Sequence, residues 1–253
     1  KKKSKKNSFK MILKNLIYTI ADYTYPSFLN EAVKSLNTKK KLIIFDIGCY
    51  RGFFTKAILK LINKKKYKIY LFDINKNVKK YIYDLIKLKN IYYNEVAISD
   101  KNGKANYNLN SFFESSGSSL SSMVKNDSKW ILSRKIILKL LFQTTEDFKQ
   151  YQVNTITIDK FLEINKIKFV DIMKVDIDGS EYKFLKGAKK TLANNKVKII
   201  MFEIMDKKNN FKYKEKTIIN FLKKNKYILL KKRKFFSISL FSNLEAGEYL
   251  FKL

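Results

Sequence analysis

Two short stretches concentrate the side chains able to do chemistry. Residues 42–54 (LIIFDIGCYRGFF) run from an apolar segment of strand length into Asp46, through Gly48 and Gly52, and on into a helix-like segment. The chain has only seven glycines, so two within five residues mark a loop with a special backbone. Glycine permits a sharp turn and lets a ligand approach main-chain N–H groups. An acid at the strand end adds an acceptor for a cationic or hydroxyl-bearing ligand. Together they read as a nucleoside-cofactor loop. No Gly-Lys-Ser/Thr follows, which excludes a P-loop, and Gly48-x-x-x-Gly52 lacks the G-x-G-x-x-G of a nicotinamide oxidoreductase.

The second stretch is residues 173–182 (MKVDIDGSEY). Strand alternation puts Lys174, Asp176 and Asp178 on one side, with Glu181 at the start of the next helix. Acids this close repel unless a cation, a lysine or a substrate hydroxyl shares them. Asp178 and Glu181 offer oxygens suited to Mg²⁺ or Ca²⁺, but without the EF-hand spacing; no metal is expected. Two more acids end strands. Asp73 follows Leu71-Phe72, where a carboxylate accepts the two hydroxyls of a ribose. Glu203 follows Ile-Met-Phe and is expected to face the same crevice. Asp159 is expected to cap the helix after it.

Composition narrows the chemistry. Histidine is absent, which excludes Ser-His-Asp hydrolysis and His general bases, and the single Cys49 excludes a zinc cluster and an intrachain disulfide. Catalysis must rest on carboxylates, lysines, tyrosines, backbone dipoles or an oxygen-bound metal. The formal net charge of +32 has two readings: the lysine-rich composition expected of an A+T-rich coding sequence, or attraction to anionic partners, an acidic polymer or an anionic membrane surface. The lysines are spread along the chain, and no nucleic-acid-binding motif accompanies them. No apolar run reaches the ~20 residues of a membrane span. The expected location is cytoplasmic, peripheral to the inner membrane face.

These residues need a scaffold. Residues 1–41 read as a basic N-terminal extension with helical segments at 11–21 and 28–37, and residues 42–253 as one domain. Strands are expected at 42–46, 68–73, 91–98, 169–175, 197–204, 227–230 and 248–253. Helices fall between them at 53–63, 77–88, 181–194 and 215–225. That alternation predicts an α/β fold with a mostly parallel, doubly wound sheet, closed by an antiparallel C-terminal hairpin on one edge. Residues 100–155 break the rhythm with a turn, a short strand, a Ser/Gly-rich loop at 114–122 and a basic, partly helical stretch at 126–150. They read as an insertion that supplies a substrate wall.

The series DIGCYRG (46–52), LFDIN (71–75), NEVAISD (94–100), SGSSL (116–120), TIDKFL (157–162), MKVDIDGSEYKFLKGA (173–188) and MFEI (201–204) resembles the FkbM family of S-adenosylmethionine-dependent methyltransferases. The resemblance implies the class I methyltransferase (Rossmann-like) fold. It also implies S-adenosylmethionine as cofactor and O-methylation, often of a sugar or polysaccharide hydroxyl, with a small-molecule or glycan acceptor. In this reading Asp46, Gly48, Tyr50, Gly52 and Phe53 surround the methionine end. Asp73 and Ile74 meet the ribose, and the Val96–Ser99 region, including Ala97 and Ser99, lines the adenine. Asp176, Lys174, Asp178, Glu181 and Glu203 face the methyl acceptor, with Asp176 as the base and Lys174 tuning it or binding the acceptor. The family usually has Asn at the position of Tyr50, Glu-Pro at Asp73-Ile74 and Glu at Asp178. A competing reading is a non-catalytic, RNA- or ribosome-associated protein of the same fold.

Overall fold

The computed structural model describes residues 28–30, 33, 34, 36, 40–62, 66–110, 148–207, 211–234 and 244–253. The expected helix at 11–21, the Ser/Gly-rich loop at 114–122 and most of the basic stretch at 126–150 lie outside the described residues.

Chain order runs β1 (Leu42–Ile47), α1 (Phe53–Ile62), β2 (Tyr67–Phe72), α2 (Val78–Tyr81), α3 (Tyr83–Ile86), β3 (Ile91–Asn94), β4 (Ala97–Ile98), β5 (Gly103–Asn110), β6 (Phe148–Ile156), α4 (Ile158–Ile164), β7 (Val170–Val175), α5 (Glu181–Gly187), α6 (Lys189–Ala193), β8 (Val197–Lys207), α7 (Phe211–Lys224), β9 (Ile228–Lys234) and β10 (Leu244–Lys252). Seven strands form the main sheet in the order β3-β2-β1-β7-β8-β10-β9. The five β3, β2, β1, β7 and β8 are mutually parallel. β10 is antiparallel to both its neighbours. The expected hairpin therefore exists, but β10 lies inside the sheet and β9 takes the edge.

Apolar side chains pack on both faces of the sheet, so the parallel strands are mostly apolar, with charges such as Asp46 and Lys174 the exceptions. Phe45, Ile47, Met173, Val175, Ile200 and Phe202 pack in one core. Their neighbours Ile44, Ile172, Ile199 and Met201 pack in the other, against Phe54 and Ile58 of α1. In α1 the buried residues Phe54, Ala57, Ile58 and Ile62 recur at helical spacing, which fixes its inner face.

Three expected elements are divided. The strand at 91–98 splits: β3 stays in the main sheet, while β4 joins a second sheet of order β4-β6-β5. The helix at 77–88 breaks at Ile82 into α2 and α3. The helix at 181–194 breaks at Ala188, beside Gly187, where an added Cβ would overlap the Ser99 carbonyl. Asp159 sits at that break. It accepts from Lys190 N and Thr191 N at 3.0 and 2.7 Å, so it caps α6, not its own helix. Thr157 caps α4, accepting from Lys160 N at 3.1 Å.

Candidate active site

The loop after β1 is bent at three alternate residues. Gly48 has φ +78 and Gly52 φ +71. At Gly48 an added Cβ would overlap the Asp176 carbonyl, and at Gly52 it would crowd Leu85. These glycines thus admit neighbouring protein atoms, which lets the loop nest between the ends of β7 and α3. Tyr50 between them is also left-handed, at φ +43. Its strained backbone is held by Asp73, whose Oδ2 accepts from Tyr50 N at 2.9 Å while Oδ1 accepts from Asn75 N at 3.0 Å. The Tyr50 ring packs against Phe53 and Tyr81, and the Arg51 guanidinium lies 4.0 Å from the Tyr81 ring centroid. Phe72 O accepts from both Gly48 N and Cys49 N, stitching the loop to the end of β2. Asp73 and the Gly loop are thus one unit. Burial pushes the Asp73 carboxyl up to about 6.

Asp46 is fully buried. Its Oδ2 accepts from Thr55 Oγ1 at 2.6 Å, but Oδ1 has no hydrogen-bond partner. The nearest cation is Lys174 Nζ, 3.9 Å away. Burial raises the Asp46 pKa, and Lys174 and Thr55 oppose the rise. Lys174 itself is buried, donating to Asp176 Oδ2 at 2.8 Å and to Gly48 O at 3.3 Å. It therefore links β1, the Gly loop and β7. β1 and β7 are in register with Asp46 opposite Lys174.

Beyond that pair the register lays out an acidic row. Lys174 is opposite Met201, which brings Asp176 beside Glu203 two residues on; Glu203 is opposite Glu248, and Glu248 opposite Arg233. Arg233 closes the row by donating to Glu248 Oε2 through Nε at 2.9 Å and also through its terminal nitrogen. Glu203 is half-buried and makes no hydrogen bond or ion pair with the described residues. Its pKa is raised well above the ordinary value, first by burial and then by the charge on Asp176. Asp178, left-handed at φ +46, is raised for the same two reasons, with Glu181 adding to them.

The expected residues do not all serve alike. Asp176, Lys174 and Glu203 come together where β7 ends alongside the interior of β8, which runs on past Glu203 to Lys207 instead of ending there. Glu181 is fully buried, and both its oxygens are engaged: Oε1 accepts from Gly179 N at 2.8 Å, and Oε2 pairs with Lys214 at 2.6 Å. Lys214 also donates to Gly179 O at 3.2 Å, so this trio holds the turn that presents Asp178. Ala97 and Ser99 are buried: Ala97 belongs to the second sheet, and Ser99 donates to Asp100 at 3.1 Å. Ile74, next to Asp73, lines a pocket that extends over Lys76, Glu95, Lys104 and residues 151–154. Thr55, Lys214, Glu248 and Arg233 escaped the sequence reading. Glu248 and Arg233 enter only through strand register, which the sequence does not display, whereas Thr55 lies in the first turn of α1, where a donor to Asp46 could be sought. Among the described residues no group of three His, Cys, Asp or Glu side chains is arranged to hold a metal ion. Nor is any helix among them long and apolar enough to cross a membrane.

The strand order β3-β2-β1-β7-β8-β10-β9, with one antiparallel strand wedged inside, defines a class I methyltransferase fold. The profile of the methyltransferase FkbM domain matches residues 46–229, and the chain belongs to that family. Among solved structures it is similar to a methyltransferase FkbM from Methylobacillus flagellatus KT, at TM-score 0.51 and 10% identity, over 83% of this chain and 43% of that one. It therefore spans less than half the length of that relative. Weaker likenesses are a precorrin-6y C5,15-methyltransferase from Geobacter metallireducens GS-15 (TM-score 0.44, 9% identity, 90% and 86% of the two chains) and fibrillarin from Aeropyrum pernix with natively bound S-adenosyl-L-methionine (TM-score 0.42, 10%, 86% and 69%). No curated protein matches the chain.

Proposed function

We propose that the protein is an S-adenosylmethionine-dependent O-methyltransferase acting on a sugar hydroxyl. The observation that carries this reading is the Oδ1 of Asp46, a buried carboxylate oxygen without a hydrogen-bond donor beside the glycine loop. Lys174 lies 3.9 Å from it, an ion pair too long for a hydrogen bond, and a ligand ammonium group would supply the missing donor. The residues fit the cofactor: Asp46 for its amino group, the Gly48–Gly52 loop for its middle, Asp73 and Ile74 for its ribose end. Asp73 retains acceptor capacity, since each oxygen takes one N–H and a carboxylate oxygen can take two.

Bound S-adenosylmethionine would supply a methyl group on a sulfonium, a centre that already carries a good leaving group. The chain's own residues then have two tasks. One is alignment: the Lys174 ammonium fixes Asp176 and the loop carbonyl of Gly48, so the floor of the crevice is rigid. The other is proton removal from the acceptor hydroxyl. Asp176 Oδ2 is already held by Lys174. The Glu203 carboxylate makes no hydrogen bond with the described residues, and its raised pKa makes it a stronger base than an ordinary glutamate. We assign the proton to a Glu203 carboxylate oxygen, with Asp176 orienting the hydroxyl.

Calorimetric titration with S-adenosylhomocysteine tests the cofactor half. The wild type is expected to bind, and Asp73→Ala to bind at least about tenfold more weakly through loss of the loop anchor. No binding by the wild type overturns the reading; equal binding by both removes Asp73 from the site.

A further inference from the structure

The end of the main sheet opposite the acidic row is lined with lysines. Each of the five parallel strands starts just behind one: Lys41 before β1, Lys66 before β2, Lys89 before β3, Lys168 before β7 and Lys196 before β8. β9 runs the same way, behind Lys226. The ladders bring these starts side by side. Leu42 is opposite Tyr67, Val170 opposite Val197, and Lys252 opposite both Ile199 and Ile228. Backbone bonds complete the seam: Leu42 N donates to Lys66 O, and Val170 N to Lys196 O, each at 2.8 Å. With adjacent strands ~4.8 Å apart, the lysines span about 30 Å of surface.

Charge sign is segregated along the strands. Asp46, Asp73 and Asp176 stand at or next to the other ends of β1, β2 and β7. On the described elements that reach the lysine end, the acids are Asp84 in α3, Glu163 in α4 and Asp171 in β7. Glu163 pairs with Lys160 at 3.3 Å, and Asp171 accepts from Ile43 N at 2.8 Å. Apolar side chains lie exposed among the lysines: Leu88 before β3, Ile164 at the end of α4, Phe169 before β7 and Ile228 at the start of β9. Ile164 and Ile228 are 59% and 67% exposed, more than a soluble surface favours for two isoleucines beside one basic patch.

We infer that this end of the sheet docks on an anionic lipid membrane. Lysine ammonium groups meet the headgroup phosphates, while their methylene stems and the four apolar side chains lie at the headgroup–acyl boundary. Lipid is favoured over nucleic acid because Leu88, Ile164 and Ile228 find no counterpart on a phosphate backbone. Both described arginines, Arg51 and Arg233, also lie toward the other end. Docked this way, the protein turns its acidic crevice away from the lipid. The inference stands apart from the methyl-transfer reading.

The test is sedimentation of the full chain with vesicles of phosphatidylcholine, alone or with about 30% phosphatidylserine, in about 0.15 M NaCl. The wild type is expected to bind the phosphatidylserine vesicles at least about tenfold more tightly than phosphatidylcholine alone. Each lysine near the surface contributes about fivefold, so Lys66→Gln/Lys168→Gln/Lys226→Gln should weaken binding about 100-fold. Lys66→Arg/Lys168→Arg/Lys226→Arg should bind like the wild type, which separates loss of charge from loss of fold. Lys104→Gln/Lys183→Gln/Lys186→Gln removes the same charge elsewhere and should cost less than about tenfold. Ile164→Ser/Ile228→Ser should weaken binding about tenfold. No binding to phosphatidylserine vesicles overturns the inference. Equal losses in the two glutamine variants leave attraction by net charge alone and overturn the face. Unchanged affinity in the serine variant overturns the lipid assignment. Tighter binding to polyuridylate than to vesicles, through the same three lysines, assigns the face to nucleic acid and overturns it too.

Discussion

Glu203 is the residue on which the chemistry turns. A carboxylate works as a base only when ionised, and burial with Asp176 alongside raises the pH at which Glu203 ionises. Activity is therefore expected to rise with pH through a value well above the ordinary 4.3 of a glutamate. Glu203→Gln should lower kcat by about 10²–10⁴ and abolish that acid limb while S-adenosylhomocysteine binding persists. A pH–rate profile of the two proteins decides it, and an unchanged limb in the variant moves the base elsewhere. Because Asp176, Asp178, Glu203 and Glu248 interact, the limb reports the set of carboxylates rather than one group. At this scale the sequence was partly legible. Asp46, Asp73, Lys174 and Asp176 are charges at or next to strand ends, and the alternation of strands and helices brings them toward one end of the sheet; Glu203 was read as another, but β8 runs on past it. Glu181 looked equivalent because position cannot reveal a partner such as Lys214, 33 residues away in the chain.

Among the elements, the β1–α1 loop is the most constrained. Gly48→Ala combines a left-handed φ with overlap against backbone, the Asp176 carbonyl, so no side chain can yield to make room. We expect a loss of about 3 kcal/mol or more, together with lost cofactor binding. Gly103→Ala is the contrast. Its φ is +133, yet nothing lies within 4 Å of an added Cβ, and the cost is expected to stay near 1 kcal/mol with binding intact. Urea unfolding of the two variants separates overlap from backbone preference; equal losses would refute it. The alternation of strands and helices was readable because parallel strands buried on both faces are mostly apolar. The divisions at Asn94 and Ala188 were not, since they answer to distant groups. β4 leaves to pair with β6, and the chain at Ala188 opens to give Asp159 two N–H groups.

For the molecule as a whole, charge dominates. A formal charge of +32 on 253 residues is a self-repulsion that salt screens. Thermal stability is expected to climb as NaCl rises from about 0.02 to about 0.3 M, over which the Debye length falls from tens of ångströms to several. A melting temperature that falls over this range would show that attractive pairs such as Lys174–Asp176 outweigh the repulsion. The overall α/β class was legible from the spacing of elements. The second sheet was hidden in what read as an insertion, because its ladder joins residues 103–110 to 148–156 across a long interval.

The placement of β10 sets an order of events during synthesis. β9 has no partner until β10 arrives, for the two pair with each other and β9 never touches β8 in the ladder. Until then β8, eleven residues long, offers a bare, apolar flank to any strand nearby. A ribosome-bound chain must therefore guard that flank while Ile228–Lys234 waits, until Leu244–Lys252 emerges and seals it.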